Sequence, residues 1–178
     1  MDAVKSLVIL EFKKITEGYK FLSNIKNSNF DFFEISPQSP GKLVCLIGGG
    51  EAETNEIWSA VKKAKKNILN SYFLKNNVVE ILKSLYGQQK PSAQDFFGVI
   101  QTKSVSASIK ISDYLLTNSK IYLLEIDSGR SLNGTSLVYF TGNKSEQKKI
   151  QRIAKIQNAD IAILQKGNPI TSRYFQLG

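Results

Sequence analysis

The chain has 178 residues, 24 Lys and Arg against 15 Asp and Glu, and a formal net charge of +9. Hydrophobic residues make up 42 %, an ordinary globular share, so the chain can bury a core as one domain or two small ones. With no histidine and one cysteine, Cys45, it has no Ser-His-Asp or Cys-His nucleophile system and no internal disulfide, and a single chain cannot hold a structural zinc or an iron–sulfur cluster.

The first residues, Met1 to Glu11, do not read as a signal peptide, because the apolar run Leu7–Leu10 is short and Glu11 ends it. No apolar stretch approaches the roughly 20 residues of a membrane span. The expectation is a soluble, cytoplasmic protein in a reducing compartment, without a membrane partner. Ser6–Phe12 reads as a buried strand. Thr16 is the expected cap of a helix with Ile15, Tyr19, Leu22 and Ile25 at helical spacing. A strand over Phe30–Ile35 follows. Pro37, Pro40 and Gly41 then predict a loop over Ser36–Gly41, before a strand at Lys42–Ile47. Gly48–Gly50 turns into a helix striped by Ile57, Val61, Ala64 and Ile68, and Ser71–Leu74 closes the half as a strand.

The pattern then repeats. Leu7–Lys20 matches Phe97–Lys110 at an offset of 90, Asn27–Ile35 matches Asn118–Ile126 at 91, and Leu43–Gly48 matches Leu137–Gly142 at 94. The joint is the polar stretch Tyr86–Gln94, YGQQKPSAQ, which divides the chain into domains 5–86 and 95–178. Each half reads strand, helix, strand, strand, helix, strand. The loops Ser36–Gly41 and Ser128–Gly134 occupy equivalent places and are expected to meet at a symmetry axis.

Chemistry-bearing motifs are sparse. Gly48–Gly50 fits no nucleotide fingerprint, and Glu51 and Glu53 in the following turn would repel a phosphate. Cys45 lies inside an apolar strand and reads as a small buried hydrophobe. Glu11, Glu34 and Glu125 could be imagined as acid–base groups. Glu34 and Glu125 are equivalent positions of the repeat, however, which favours a shared structural role over one active site. Lys62, Lys63, Lys65 and Lys66, and Lys144, Lys148, Lys149, Arg152 and Lys155, form basic outer faces on the second helix of each half. A solvated face is the simplest reading. Aromatic interleaving is poor, which argues against nucleic acid, while docking of an acidic protein stays open.

The segments LVILEFKKITEGYKFL, FDFFEISPQSPGKLVCLIGG, FGVIQTKSVSASIKISDYLL and SLVYFTGN resemble the bacterial microcompartment shell proteins, in their tandem-domain, trimer-forming class. The resemblance runs from about Ser6 to Pro169. Its best marks are Pro40–Lys42 with the Gly-Gly that follows, and Gly98–Ser108. It implies an α+β fold of two ferredoxin-like βαββαβ shell domains in unpermuted order. It further implies a non-enzymatic homotrimer shaped as a pseudo-hexameric tile, with other shell proteins at its edges and enzymes as possible cargo. By the same resemblance a central pore for metabolites is lined by Ser36, Pro37, Gln38, Ser39, Pro40 and Gly41 and by Gly129, Arg130, Ser131, Leu132, Asn133 and Gly134. Gln38 and Ser39 are the first candidates for its narrow rim. Lys26 matches the tile-edge lysine, and the second half has Thr117 in its place. In the members of the class that this chain resembles most, a cysteine stands before Pro-Gly-Lys, and three of them hold an iron–sulfur cluster on the trimer axis. Ser39 stands there in this chain, so no cofactor and no metal is expected. The rival readings are a trimeric ferredoxin-like sensor of a nucleotide or small molecule, and a basic nucleic-acid-binding module.

Overall fold

The computed structural model describes residues 3–25, 29–89, 94–128 and 134–166. The first half contains β1 (Ser6–Phe12), α1 (Ile15–Ser23), β2 (Phe32–Gln38), β3 (Lys42–Gly49), α2 (Glu51–Lys63), β4 (Ile68–Leu74) and α3 (Val78–Leu85). Its strands form an antiparallel sheet in the order β2-β3-β1-β4. The second half contains β5 (Phe96–Thr102), α4 (Val105–Asn118), β6 (Ile121–Asp127), β7 (Ser136–Gly142), α5 (Gln147–Ile156) and β8 (Asp160–Gln165), with the sheet order β6-β7-β5-β8. This is an α+β architecture in which the same strand order occurs twice.

Every residue of β1 is buried. The strand is hydrogen-bonded on both edges, and both of its faces are covered, which is why its apolar run is continuous instead of alternating. On one face Val8, Leu10 and Phe12 join Leu43, Cys45 and Ile47 under Ile57 and Val61 of α2. On the other, Leu7 and Ile9 join Val44, Leu46 and Leu74 in one cluster with Val78, Ile81 and Leu82 of α3, a helix that lies against β6 of the second half. That second cluster runs without a break into the core of the second half, through Val105, Ile109, Ile126 and Phe140. The two halves therefore share one apolar interior.

Polar contacts fix how the halves meet. Glu11 is 1 % exposed. Its Oε1 accepts the backbone N–H of Ser106 at 2.6 Å, in the first turn of α4, and its Oε2 accepts from Asn70 at 3.2 Å. The carboxylate thus satisfies an orphan donor at a helix N-terminus, where the dipole favours negative charge. Tyr72 donates to Asp113 Oδ2 at 2.7 Å, and Asn77 Nδ2 donates to Asp113 Oδ1 at 2.8 Å. Burial, and then Asp113, push the Tyr72 phenol well above its ordinary range.

Several sequence expectations change. The residue preceding α1 is Lys14, and no side chain caps this helix, so Thr16 lies inside its first turn instead. Ile25 lies beyond the helix, and Ile68 belongs to β4 and not to the stripe of α2. Gly48 and Gly49 complete β3, which leaves Gly50 as the residue before α2. The helix of Val78–Leu85 was not expected from the sequence; it precedes the polar joint.

The ladder also corrects the repeat. Gly49 faces Ser6 and Gly142 faces Phe96, and since Ser6 and Phe96 are 90 positions apart, the true equivalents are Gly49 and Gly142, 93 apart rather than 94. Glu34 and Glu125 remain equivalent at 91, because Glu34 faces Leu46 and Glu125 faces Tyr139. The inserted residue is Leu124, at a register shift between Leu123 and Glu125.

Candidate functional site: paired strand turns and the pocket behind them

Ser36, Pro37 and Gln38 belong to β2 rather than to a loop, so the turn narrows to Ser39, Pro40 and Gly41. Pro37 is tolerated because β2 is the edge strand of its sheet. Gly41 has φ +74° and supplies the left-handed residue that returns the chain into Lys42, opposite Gln38. Ser39, Pro40 and Gly41 are exposed, whereas Ser36 is 8 % and Gln38 5 % exposed.

The equivalent β6–β7 connection meets this turn. Gln38 Nε2 donates to the carbonyl of Ser128 at 3.0 Å. Gly134, with φ +78°, lies so close to the first turn that a Cβ there would stand 2.9 Å from Lys42 Nζ and 3.4 Å from the Ser39 carbonyl. The two connections expected to share an axis are thus neighbours within one chain. Gly129, Arg130, Ser131, Leu132 and Asn133, and the expected edge residue Lys26, lie outside the described residues.

Behind the turns a pocket of about 260 Å³ opens between the halves. One wall is the β2–β3 face, with Glu34, Ser36, Gln38, Val44 and Leu46; the other is β6, with Glu125, Ile126 and Asp127. Tyr86, after α3, donates its hydroxyl to Glu34 Oε2. Glu34 and Glu125, read as structural equivalents, therefore converge on one cavity. Period-two alternation puts Glu34, Ser36 and Gln38 on one face of β2. No pattern in the sequence shows that the other half presents Glu125 to that face.

Other expected features are plain. Cys45 is fully buried, and burial pushes its thiol up to about 12. The lysines of α2 and α5 are exposed on the outer sides of their helices. Glu51 and Glu53 occupy the first turn of α2.

No family model matches the chain. Over 152 residues it is 21 % identical to the bacterial microcompartment shell protein PduT of Citrobacter freundii, which spans 84 % of this chain and 83 % of that protein. The crystal structure of a microcompartment protein from Desulfitobacterium hafniense DCB superposes with a TM-score of 0.76 at 22 % identity, covering 96 % of this chain and 99 % of that one. In sequence the chain is similar to a bacterial microcompartment shell protein, and it shares the fold of a microcompartment protein. The resemblance seen in its motifs and the likeness of its fold agree over nearly its whole length, and the relative, like this chain, is matched across both halves.

The iron–sulfur centre raised by the sequence resemblance requires thiolate donors at this turn. Ser39 offers a hydroxyl at the turn, a poor ligand for a thiolate-built cluster. Cys45 is locked inside the first core as a neutral thiol. The described residues do not fit the group.

Proposed function

We propose that this chain is a structural, non-enzymatic component of a bacterial microcompartment shell in the cytoplasm. Its two tandem domains, 5–86 and 95–178, make three copies into a flat pseudo-hexameric tile with a pore at its centre. Other shell proteins meet the tile at its edges, near Lys26.

The observation that carries this reading is an unequal burial of equivalent faces. In the first sheet Ile9, Val44, Leu46 and Leu74 are 0–5 % exposed, closed off by α3 and the second half. Their ladder equivalents in the second sheet, Val99, Leu137, Tyr139 and Leu164, are only half-buried. The helices differ in the opposite sense. Eight residues of α4 are buried, but in α1 only Gly18 is. Ile109 of α4 is 0 % exposed, and its repeat equivalent Tyr19 is 50 % exposed. One inter-half interface is complete within the chain, and the equivalent face of the second sheet is left half-buried. A second copy placed head to tail puts its α1 where α4 sits. Such heterologous contacts close into a ring when the rotation allows. Three chains, six domains, complete the circle.

In that ring the paired turns fall together at the centre. Ser39 and Pro40 form the projecting tip and, with residues 129–133, the pore rim. Gln38 ties the two turns to each other from below. Arg130 and Lys42 bias the opening toward polar or anionic metabolites.

The test is mass measurement in solution. The expected species is three times 19.9 kDa, about 60 kDa. Val99→Asp, on the half-buried face, is expected to yield a folded monomer. A wild-type monomer, or a Val99→Asp protein that stays trimeric, contradicts the proposal.

A further inference from the structure

We infer that Gln101 and Asp160 form a polar cap for helix α1 of a second copy of this chain, at the joint between neighbouring chains. The inference rests on the head-to-tail ring proposed above and names the residues that recognise the partner in it. Its template lies inside the chain. Glu11 and Asn70 face each other across β1 and β4. Glu11 accepts the Ser106 N–H of α4 at 2.6 Å, and Asn70 donates to the same carboxylate at 3.2 Å.

The repeat keeps this pair and exchanges its charge. At an offset of 90, Gln101 stands for Glu11 and Asp160 for Asn70, and the two face each other across β5 and β8. Glutamine has the size of glutamate and asparagine that of aspartate. The shapes therefore match, while the carboxylate moves to the other strand. A side-chain amide carries both an acceptor and donors. Gln101 Oε1 accepts a helix N–H as Glu11 does, and Gln101 Nε2 donates to Asp160. Glu11 is 1 % exposed, whereas Gln101 and Asp160 are exposed in the single chain.

Helix α1 supplies the complement. Thr16 holds the place in α1 that Ser106 holds in α4. Ser104 and Glu11 both cap α4, but among the described residues no side chain caps α1. Its first-turn N–H groups await an acceptor. Asn70 lines one pocket with Lys103, Ser104 and Ala107. Their equivalents on α1 are Lys13, Lys14 and Glu17, two cations to one anion. That end suits the carboxylate of Asp160 where the single Lys103 suits an amide. The other polar joint, Tyr72 on Asp113, is not repeated, because those positions fall on Ala162 and Ser23.

The test follows dissociation of the intact protein on dilution, by mass photometry, together with hydrogen exchange at single amides. The Thr16 amide is expected to be protected in the assembled wild type. Gln101→Ala and Asp160→Ala are each expected to raise the concentration of half-dissociation at least about tenfold, as loss of a hydrogen bond at every joint implies. Gln101→Ala is also expected to release the Thr16 amide, while the Ser106 amide, capped within the chain, stays protected. Both side chains are exposed in the single chain, so the variants fold, which circular dichroism checks. Gln101→Glu combined with Asp160→Asn recreates the Glu11–Asn70 arrangement and is expected to assemble within about threefold of wild type. A monomeric wild type overturns the ring and this cap with it. A trimeric wild type with an unprotected Thr16 amide, alanine variants that dissociate as wild type does, or a double variant as weak as they are expected to be, overturns the cap and leaves the ring standing.

Discussion

Single residues show how strongly a neighbour in space overrides a position in sequence. Glu11 interrupts an apolar strand, which in isolation suggests a solvent-facing edge. It is instead among the most buried carboxylates of the chain, because α4 brings a free N–H to it. Cys45 is the opposite case, a residue whose role its own surroundings already announce. Burial raises its thiol to about 12 from an ordinary 9.0. The folded state thus holds this proton more tightly than the unfolded chain does. The resulting stability is fully present below pH 9 and is lost as the pH rises from 9 toward 12, by up to about 1.4 kcal/mol per unit. Urea midpoints for wild type and Cys45→Ala are expected to run parallel up to pH 9 and to converge above it. Parallel curves throughout would mean that the thiol titrates normally.

At the scale of elements, the strands follow from local pattern and the helices do so unevenly. The runs at Ser6–Phe12 and Lys42–Gly49 are apolar on both sides, and such runs of this length read as buried strands. Pro37 misleads, since a proline is compatible with an edge strand and only the topology makes β2 an edge. Helix α1 depends on Gly18, where any Cβ would run into Leu43 and Phe12. The helix therefore lies close against the sheet. Helix α3 has eight residues, too few to persist alone, and packing against β6 and burial of Val78, Ile81 and Leu82 in the shared core hold it. Ile81 is fully buried, so Ile81→Ala is expected to lower stability by about 2–5 kcal/mol. A urea midpoint that drops at unchanged slope checks it, and a shift below about 1 kcal/mol would mean that α3 contributes little to the shared core.

The whole molecule is two equivalent sheets in unequal surroundings. In the proposed trimer, closure of the first sheet by the second half is repeated between neighbouring chains. Edge contacts between tiles are a separate matter of surface charge. In the proposed assembly Lys26 is the candidate for those contacts. Lys26→Asp is expected to leave the trimer intact and to abolish ordered two-dimensional sheets seen by electron microscopy. Sheets of wild-type order from this variant would remove the residue from lateral packing.

What the sequence determined by itself was the element order apart from α3, the repeated strand pattern, the buried strands, the neutral role of Cys45 and the family likeness. All of these are carried by residue type and short-range spacing. Tertiary structure alone decided that the two halves share one interior, that Glu11 caps α4, and that Glu34 and Glu125 line a single pocket. It also set the repeat register at Gly49 and Gly142. The physical reason is that periodicity reports whether a face is apolar but not what covers it. Partners tens of residues apart are chosen by how whole sheets and helices stack.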